Sequence, residues 1–150
     1  MSELGYMSNA QDNLYIAYNN LDEYVENLLF ALKKKHPRYE EIGTERNGEY
    51  IQINDSIIQI ENEYYSSIRP KRIVGSGERP INVLREKGIE YVEVRCMDND
   101  PFDPLSLSSE TSYFLEAYLM TCLADESHIA SKEEIIAVSY THLTLPTSQY

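Results

Sequence analysis

The chain has 150 residues, a length typical of one domain, and 42% of them are hydrophobic and 25% charged. These proportions exclude a disordered, collagen-like or disulfide-scaffold protein. The 25 acidic residues outnumber the 13 basic ones, which gives a net charge of −12. A surface this acidic repels phosphate backbones and anionic lipids, so we expect no nucleic acid and no membrane among the partners.

Neither a signal peptide nor a membrane span can be found in the sequence. The N-terminal residues MSELGYMSNAQDN lack a basic and an apolar region, and no apolar run approaches the ~18 residues that a span requires. We therefore expect a cytoplasmic protein. Cys96 and Cys122 are too few for a disulfide framework and lie in apolar stretches, so we expect two buried, reduced thiols.

The first predicted element is a helix that begins after Asn20, with Glu23 three residues further on as in a capping box. Hydrophobic residues follow at helical spacing: Leu21, Val25, Leu28, Leu29 and Leu32. We expect the three lysines at 33–35 in its last turn, where cations complement the helix dipole, and Pro37 at its end.

A β region is predicted after this helix. Asn47-Gly48 indicates a hairpin, because this pair supplies the positive φ angles of a tight type I′ turn. Alternation predicts a strand over Ile57–Tyr65, with one polar face: Gln59, Glu61, Glu63 and Tyr65. Two carboxylates on one strand face repel each other unless a cation lies between them. Mg²⁺ or the basic residues Arg69, Lys71 and Arg72 could serve, and a solvated sheet face is the alternative.

The remaining elements complete the prediction of an α+β fold with an antiparallel sheet and flanking helices. Residues 66–80 are expected to form a loop rich in Arg, Gly and Pro, and 81–86 a short helix that ends at Gly88. The strongest strand pattern covers Ile89–Cys96. A turn-rich loop follows, and then a helix capped by Ser108 or Ser109 that extends through Leu123.

The C-terminal sequence AVSYTHLTLPTSQY has no charged residue and no helical period. It resembles translated adapter sequence, as found at the ends of reading frames assembled from short reads. We therefore expect 138–150 to be a non-native tail, and 1–137 to be the genuine part of the chain. A genuine C-terminal β segment is the alternative.

Glu93 and Arg95 are the residues of the best strand that point most directly to chemistry. They are two positions apart, so their side chains project from the same face. A carboxylate is a hard oxygen ligand suited to Mg²⁺, and a guanidinium is suited to phosphate oxygens. The pair is typical of an ATP–Mg²⁺ site built on a sheet, and a cross-strand salt bridge on an exposed face is the alternative.

Several segments resemble one known family: LGYMSNAQDNLYIAYNNLDEYV, IQINDSIIQIENEYYSSIRPKR, GERP followed by GIEYVEVRCMDNDPFDP, and CLAD. They are similar to the proteobacterial type of glutamate–cysteine ligase (γ-glutamylcysteine synthetase). The similarity runs from Ser2 to about Glu134. Its implied fold is similar to that of glutamine synthetase, in which an antiparallel sheet forms a funnel for metal ions and nucleotide.

The resemblance also implies an activity and a set of site residues. The family joins the γ-carboxylate of L-glutamate to the amine of L-cysteine with ATP and Mg²⁺, through a γ-glutamyl phosphate, in the first step of glutathione synthesis. By motif, Glu93 matches a Mg²⁺ ligand and Arg95 a catalytic arginine that contacts the transferred phosphate. Tyr6 and Tyr65 match tyrosines that line the cysteine pocket, although the family has ELY where this chain has Glu63-Tyr64-Tyr65.

The resemblance further implies that the chain is an internal piece of a longer enzyme. The N-terminal part, which supplies most acidic metal ligands, is expected to be missing, with Met1 an internal methionine. We therefore expect the segment alone to be inactive and to bind Mg²⁺–ATP weakly. The alternative function is a small acidic stand-alone module that binds or regulates a partner.

Overall fold

The computed structural model describes residue 11 and the ranges 14–95 and 97–143. Its elements in chain order are α1 (Leu21–Ala31), α2 (Pro37–Ile42), β1 (Glu45–Arg46), β2 (Glu49–Tyr50), a 3-10 turn (Glu61–Glu63), β3 (Ile68–Lys71), α3 (Pro80–Lys87), β4 (Tyr91–Val94), α4 (Ser109–Ala124) and α5 (Lys132–Leu143). Strand β1 pairs with β2 and β3 with β4, both antiparallel. The predicted α+β class is confirmed. None of the helices described is long and apolar enough to cross a bilayer.

Helix α1 supplies much of the hydrophobic core. The side-chain oxygen of Asn20 accepts a 2.8 Å hydrogen bond from the backbone N–H of Glu23, which confirms the predicted cap. The core residues come from α1, α3 and the segments before and between them: Ile16, Tyr24, Val25, Leu28, Ala31, Ile57, Ile58, Ile81 and Leu84. This core holds α1 and α3 together, and residues of both helices and of β3 line one pocket.

The end of α1 differs from the prediction. The helix ends at Ala31, so the three lysines follow it rather than lie in its last turn. The backbone instead turns to pair with a later segment: the carbonyl of Lys34 accepts a 2.8 Å hydrogen bond from the N–H of Ile57. Pro37 begins α2, where a proline without an N–H is tolerated.

The predicted hairpin is confirmed, with strands of two residues each. Asn47 and Gly48 have φ angles of 56° and 82°, as a type I′ turn requires. The predicted strand over 57–65 is wrong. Ile57 and Ile58 are consecutive and both buried, so the alternation is broken, and Glu61–Glu63 forms a 3-10 turn.

The segment 66–80 contains a strand rather than only a loop. Strand β3 pairs with β4 in the register Ile68↔Val94, Arg69↔Glu93, Pro70↔Val92 and Lys71↔Tyr91. Its Arg and Pro residues conceal the strand from pattern analysis, and a proline is tolerated because a two-stranded sheet has only edge strands. The short helix α3 ends at Gly88 as predicted, with φ of 78°.

The C-terminal half is more exposed. Ser108 caps α4 by accepting a 3.2 Å hydrogen bond from the N–H of Thr111, as predicted. Cys122 on α4 is exposed, so the expectation that it is buried is wrong, while Cys96 lies outside the described residues. Helix α5 runs through Leu143 and so crosses the expected boundary at 137/138.

Candidate functional site

Glu93 lies on strand β4, and Arg95 directly follows the last residue of this strand, Val94. The backbone N–H of Arg95 donates a 2.7 Å hydrogen bond to the carbonyl of Ser67, which extends the pairing with β3 beyond Val94. Glu93 lies directly across from Arg69, and cross-strand partners project to the same side of a sheet. The site is therefore built on the backbone hydrogen bonds of the β3–β4 pair.

Arg95 and Tyr65 lie together. The guanidinium carbon of Arg95 is 5.7 Å from the centre of the Tyr65 ring, a distance at which a cation is attracted to an aromatic face. The Nη1 atom of Arg95 is buried and has no hydrogen-bond partner among the described residues. A charged donor in this state is suited to an anionic oxygen, because burial without a partner is costly.

Both residues border a pocket of about 470 Å³. The side chains around it are mostly polar or aromatic: Gln11, Tyr39, Ile57, Gln59, Ile60, Asn62, Glu63, Tyr64, Tyr65 and Arg95. Arg95 and Tyr65 therefore line the same pocket. Glu93 is half-buried and does not line this pocket.

Gln11 fixes the backbone that carries Tyr65. Its side-chain amide donates a 2.8 Å hydrogen bond to the carbonyl of Glu63 and accepts one of 3.1 Å from the N–H of Tyr65. These two bonds imitate the pairing of a neighbouring strand. The carboxylate of Glu63 in turn accepts a 2.7 Å hydrogen bond from the N–H of Gln59. The segment is thus held in an irregular conformation that places Tyr65 at the pocket.

Two arginines clamp the 3-10 turn that precedes Tyr65. Arg79 binds the Glu61 carboxylate through its Nε at 3.0 Å and its Nη2 at 2.8 Å. Arg69 is buried, and its Nη2 donates a 3.1 Å hydrogen bond to the carbonyl of Glu61. Arg79 thus restricts the side chain of the turn, and Arg69 restricts its backbone.

Two largely buried tyrosines near this turn, Tyr24 and Tyr64, have raised pKa values. Burial raises the pKa of Tyr24 to about 12, with a further rise from Tyr18. Burial also raises the pKa of Tyr64, again with help from Tyr18. The guanidinium of Arg69 opposes both shifts. At neutral pH both phenols are therefore protonated and do not act as bases. The Arg69 guanidinium donates a hydrogen bond to Tyr24, and Tyr64 is hydrogen-bonded to Tyr18.

The described residues do not form a complete magnesium site. They contain no group of three or more His, Cys, Asp or Glu side chains that could hold a metal ion. Glu93 supplies one carboxylate, and its partner across the sheet is the cation Arg69. Mg²⁺ requires a near-octahedral set of oxygen ligands. The single carboxylate of Glu93 could supply only one part of that set.

Sequence reasoning found Arg95 and Tyr65 but missed the residues that position them. Arg79 is 18 positions from Glu61, and Gln11 is 54 positions from Tyr65, so no local pattern joins them. The Arg69↔Glu93 register would have followed from recognising β3 as a strand. Tyr6 lies outside the described residues.

Comparison with known proteins gives consistent matches. The sequence profile of the family described as glutamate–cysteine ligase matches residues 1–144. The glutamate–cysteine ligase of Janthinobacterium sp. (strain Marseille) is 52% identical over 132 residues, covering 88% of this chain and 25% of the relative. That of Hahella chejuensis is 51% identical over 144 residues, covering 96% and 27%.

A solved structure matches over almost the same extent. The crystal structure of glutamate–cysteine ligase from Francisella tularensis in complex with AMP has a TM-score of 0.85 and 44% identity, covering 96% of this chain and 29% of that chain. The chain spans about a quarter of the length of the curated relatives it matches. With a profile match over nearly its whole length, this chain belongs to the glutamate–cysteine ligase family.

Proposed function

We propose that this chain is part of an ATP-dependent ligase that joins the γ-carboxylate of L-glutamate to the amine of L-cysteine. The reaction passes through γ-glutamyl phosphate and is the first step of glutathione biosynthesis. The observation that carries the proposal is the 0.85 TM-score at 44% identity to a glutamate–cysteine ligase in complex with AMP. The family match favours this function over the acidic binding module.

In this proposal Arg95 contacts the phosphoryl group that moves from ATP to glutamate. Phosphoryl transfer depends on positioning and on neutralising the charge of the phosphate oxygens. The buried Nη1 of Arg95, without a partner among the described residues, supports this role. The Tyr65 ring contacts the guanidinium of Arg95, so this guanidinium is oriented before the ligand binds.

Tyr65 forms a wall of the cysteine pocket, together with Tyr6. The neutral cysteine amine attacks the carbonyl carbon of γ-glutamyl phosphate, which forms the C–N bond, breaks the C–O bond to the phosphate and releases inorganic phosphate and a proton. The tyrosine wall orients the amine toward this carbon. The support for Tyr65 is its place beside Arg95 on the 470 Å³ pocket. The assignment of Tyr6 is supported by its motif LGY alone.

Glu93 is proposed as one ligand of Mg²⁺, the ion that would neutralise the phosphate oxygens of ATP. Its position two residues before Arg95 supports this assignment. The other ligands would come from outside the described residues, since these hold no complete metal cluster.

The chain as given should be a segment of a cytoplasmic enzyme with a glutamine-synthetase-like fold. Residues 1–137 are proposed as part of the catalytic domain and 138–150 as a non-native tail. The L-glutamate and ATP sites then require the N-terminal part of the same enzyme. Support comes from the quarter of the relatives' length that the chain spans, and we expect the chain alone to be inactive.

A chimera tests the function. In the Hahella chejuensis relative, the residues that match 1–137 of this chain are replaced by residues 1–137, and ADP formation is measured. We expect ADP release that requires both L-glutamate and L-cysteine, and no release by the chain alone. A chimera that folds but forms ADP equally well with another amine, or without cysteine, would contradict the proposal.

A further inference from the structure

Helix α4 has the composition of a core helix but the exposure of a surface helix. It is 16 residues long, and none of its residues is buried. Its large hydrophobic residues are all more than half exposed, apart from two leucines: Tyr113, Phe114, Tyr118, Met120 and Leu123. A helix that is apolar on most sides is expected inside a protein, because solvent-facing helices carry a polar face.

The exposed residues form a continuous face. Tyr113, Ala117, Met120 and Ala124 follow at i, i+4, i+7 and i+11, which places them in one row along the helix. The rings of Phe114 and Tyr118 stack beside this row, 6.1 Å apart. We call these six residues the open face of α4.

A different side of α4 is less exposed. Leu115 and Leu119 are half-buried and four residues apart, so they share a stripe that the open face does not include. Glu110, three residues before Tyr113 and seven before Ala117, borders the open face at its N-terminal end. Glu116 lies outside the face, whose six residues carry no charge. Apolar side chains are therefore the partner that this face fits.

The exposure continues on both sides of α4. Phe102 and Leu105 in the preceding loop are exposed, as is Ile129 after the helix. This contrasts with α1 and α3, each of which buries an apolar stripe in the core. The region around α4 thus presents a much larger apolar surface than isolated surface residues would.

We infer that the open face of α4 docks against the part of the ligase polypeptide that lies outside this segment. The Francisella tularensis structure matches 96% of this chain with only 29% of its own length, so such a ligase has ample further chain to cover the face. The inference rests on family membership and not on the reaction proposed above.

The test is thiol labelling at the centre of the open face. Ala117→Cys is introduced into the chain and into the Hahella chejuensis chimera, each carrying Cys122→Ser to remove the exposed native thiol of α4, and each is treated with iodoacetamide under native conditions. Mass spectrometry of the Ala117→Cys peptide gives its rate of modification. We expect labelling to be at least about tenfold slower in the chimera, because docked apolar surface is protected from solvent. Ser76→Cys, on an exposed loop, is the matched control and should react alike in both proteins.

Two results would overturn the inference. In a folded chimera, equal labelling of Ala117→Cys in the two proteins would show that the open face stays uncovered. Protection in the chain alone that increases with its concentration would instead identify a second copy of the chain as the occupant. Neither readout depends on ligase activity, so failure of the inference is distinguishable from failure of the proposed reaction.

Discussion

The guanidinium of Arg95 lies over the ring of Tyr65, with 5.7 Å between the guanidinium carbon and the ring centre. The two residues are 30 positions apart in the printed sequence and come from a strand end and an irregular segment. A cation over an aromatic face contributes about 0.5–1 kcal/mol at an exposed site. The contact therefore orients Arg95 while leaving its buried Nη1 available to an anionic oxygen.

Replacing Arg95 should reduce turnover in the chimera. Arg95→Met keeps much of the length of the side chain but removes the charge, and we expect kcat to fall by about 10²–10³-fold, the usual loss for one electrostatic group in the transition state. Arg46→Met in the exposed hairpin is the control and should keep the activity of the chimera. A fall of less than about threefold with Arg95→Met would exclude a role in phosphoryl transfer.

Tyr65 variants should separate cysteine binding from nucleotide binding. Tyr65→Leu removes the ring, and we expect the KM for cysteine to rise about tenfold, equivalent to ~1.4 kcal/mol, with the KM for ATP unchanged. Tyr65→Phe keeps the ring over Arg95 and should have a smaller effect. Tyr50→Leu, an exposed tyrosine in β2, is the control. An equal rise in both KM values would show a general loss of structure rather than a cysteine pocket.

The sequence predicted correctly those helix ends and turns that are determined by residues close by in the chain. The Asn20 cap, the Asn47-Gly48 turn, the Gly88 helix end and the Ser108 cap all depend on neighbours within three or four positions. These features are confirmed because short-range hydrogen bonds and φ preferences decide them.

Long-range contacts explain the predictions that are wrong. The alternation over 57–65 indicates a strand, but Arg79 draws the Glu61 carboxylate inward and Arg69 binds the turn's carbonyls. Strand β3 is likewise stabilised by β4, whose paired residues are 20 to 26 positions away, despite its proline. The position of Arg95 could be predicted from its strand, whereas the bonds from Gln11 that place Tyr65 could not.

The Glu61–Arg79 pair should contribute measurably to the stability of the chain. Its carboxylate is 10% exposed and its guanidinium 59% exposed, so removing Arg79 leaves a largely buried charge without its partner. We expect Arg79→Met to lower the free energy of unfolding by about 1–2 kcal/mol, a value reduced from that of a fully buried pair. Urea unfolding measures this loss.

The double variant Glu61→Gln, Arg79→Met tests the reason for that loss. Because the neutral amide costs less to bury than a carboxylate, it should be no less stable than Arg79→Met alone. A further loss in the double variant would indicate that Glu61 is stabilised by other contacts.

The Lys35–Asp55 pair should give the chain a pH-dependent stability. The ammonium of Lys35 donates a 2.7 Å hydrogen bond to the carboxylate and lowers the pKa of Asp55, and the same bond raises the pKa of Lys35. Because the pKa of Asp55 is lower in the folded chain than in the unfolded chain, its ionised carboxylate stabilises the fold at any pH above the unfolded-state pKa. This stabilisation is lost as the pH falls through the folded-state pKa. Because the pKa of Lys35 is higher in the folded chain, its charged ammonium stabilises the fold at any pH below the unfolded-state pKa. This stabilisation is lost as the pH rises through the folded-state pKa.

The stability difference between the wild-type chain and Asp55→Asn should therefore be greatest between about pH 5 and 9 and shrink below about pH 4 and above about pH 10.5. Urea unfolding at a series of pH values measures it. In the Lys35→Met background the hydrogen bond to Asp55 cannot form. The loss of stability caused by Asp55→Asn should then no longer show this dependence on pH. If the shape persists there, the pH dependence arises from groups other than this ion pair.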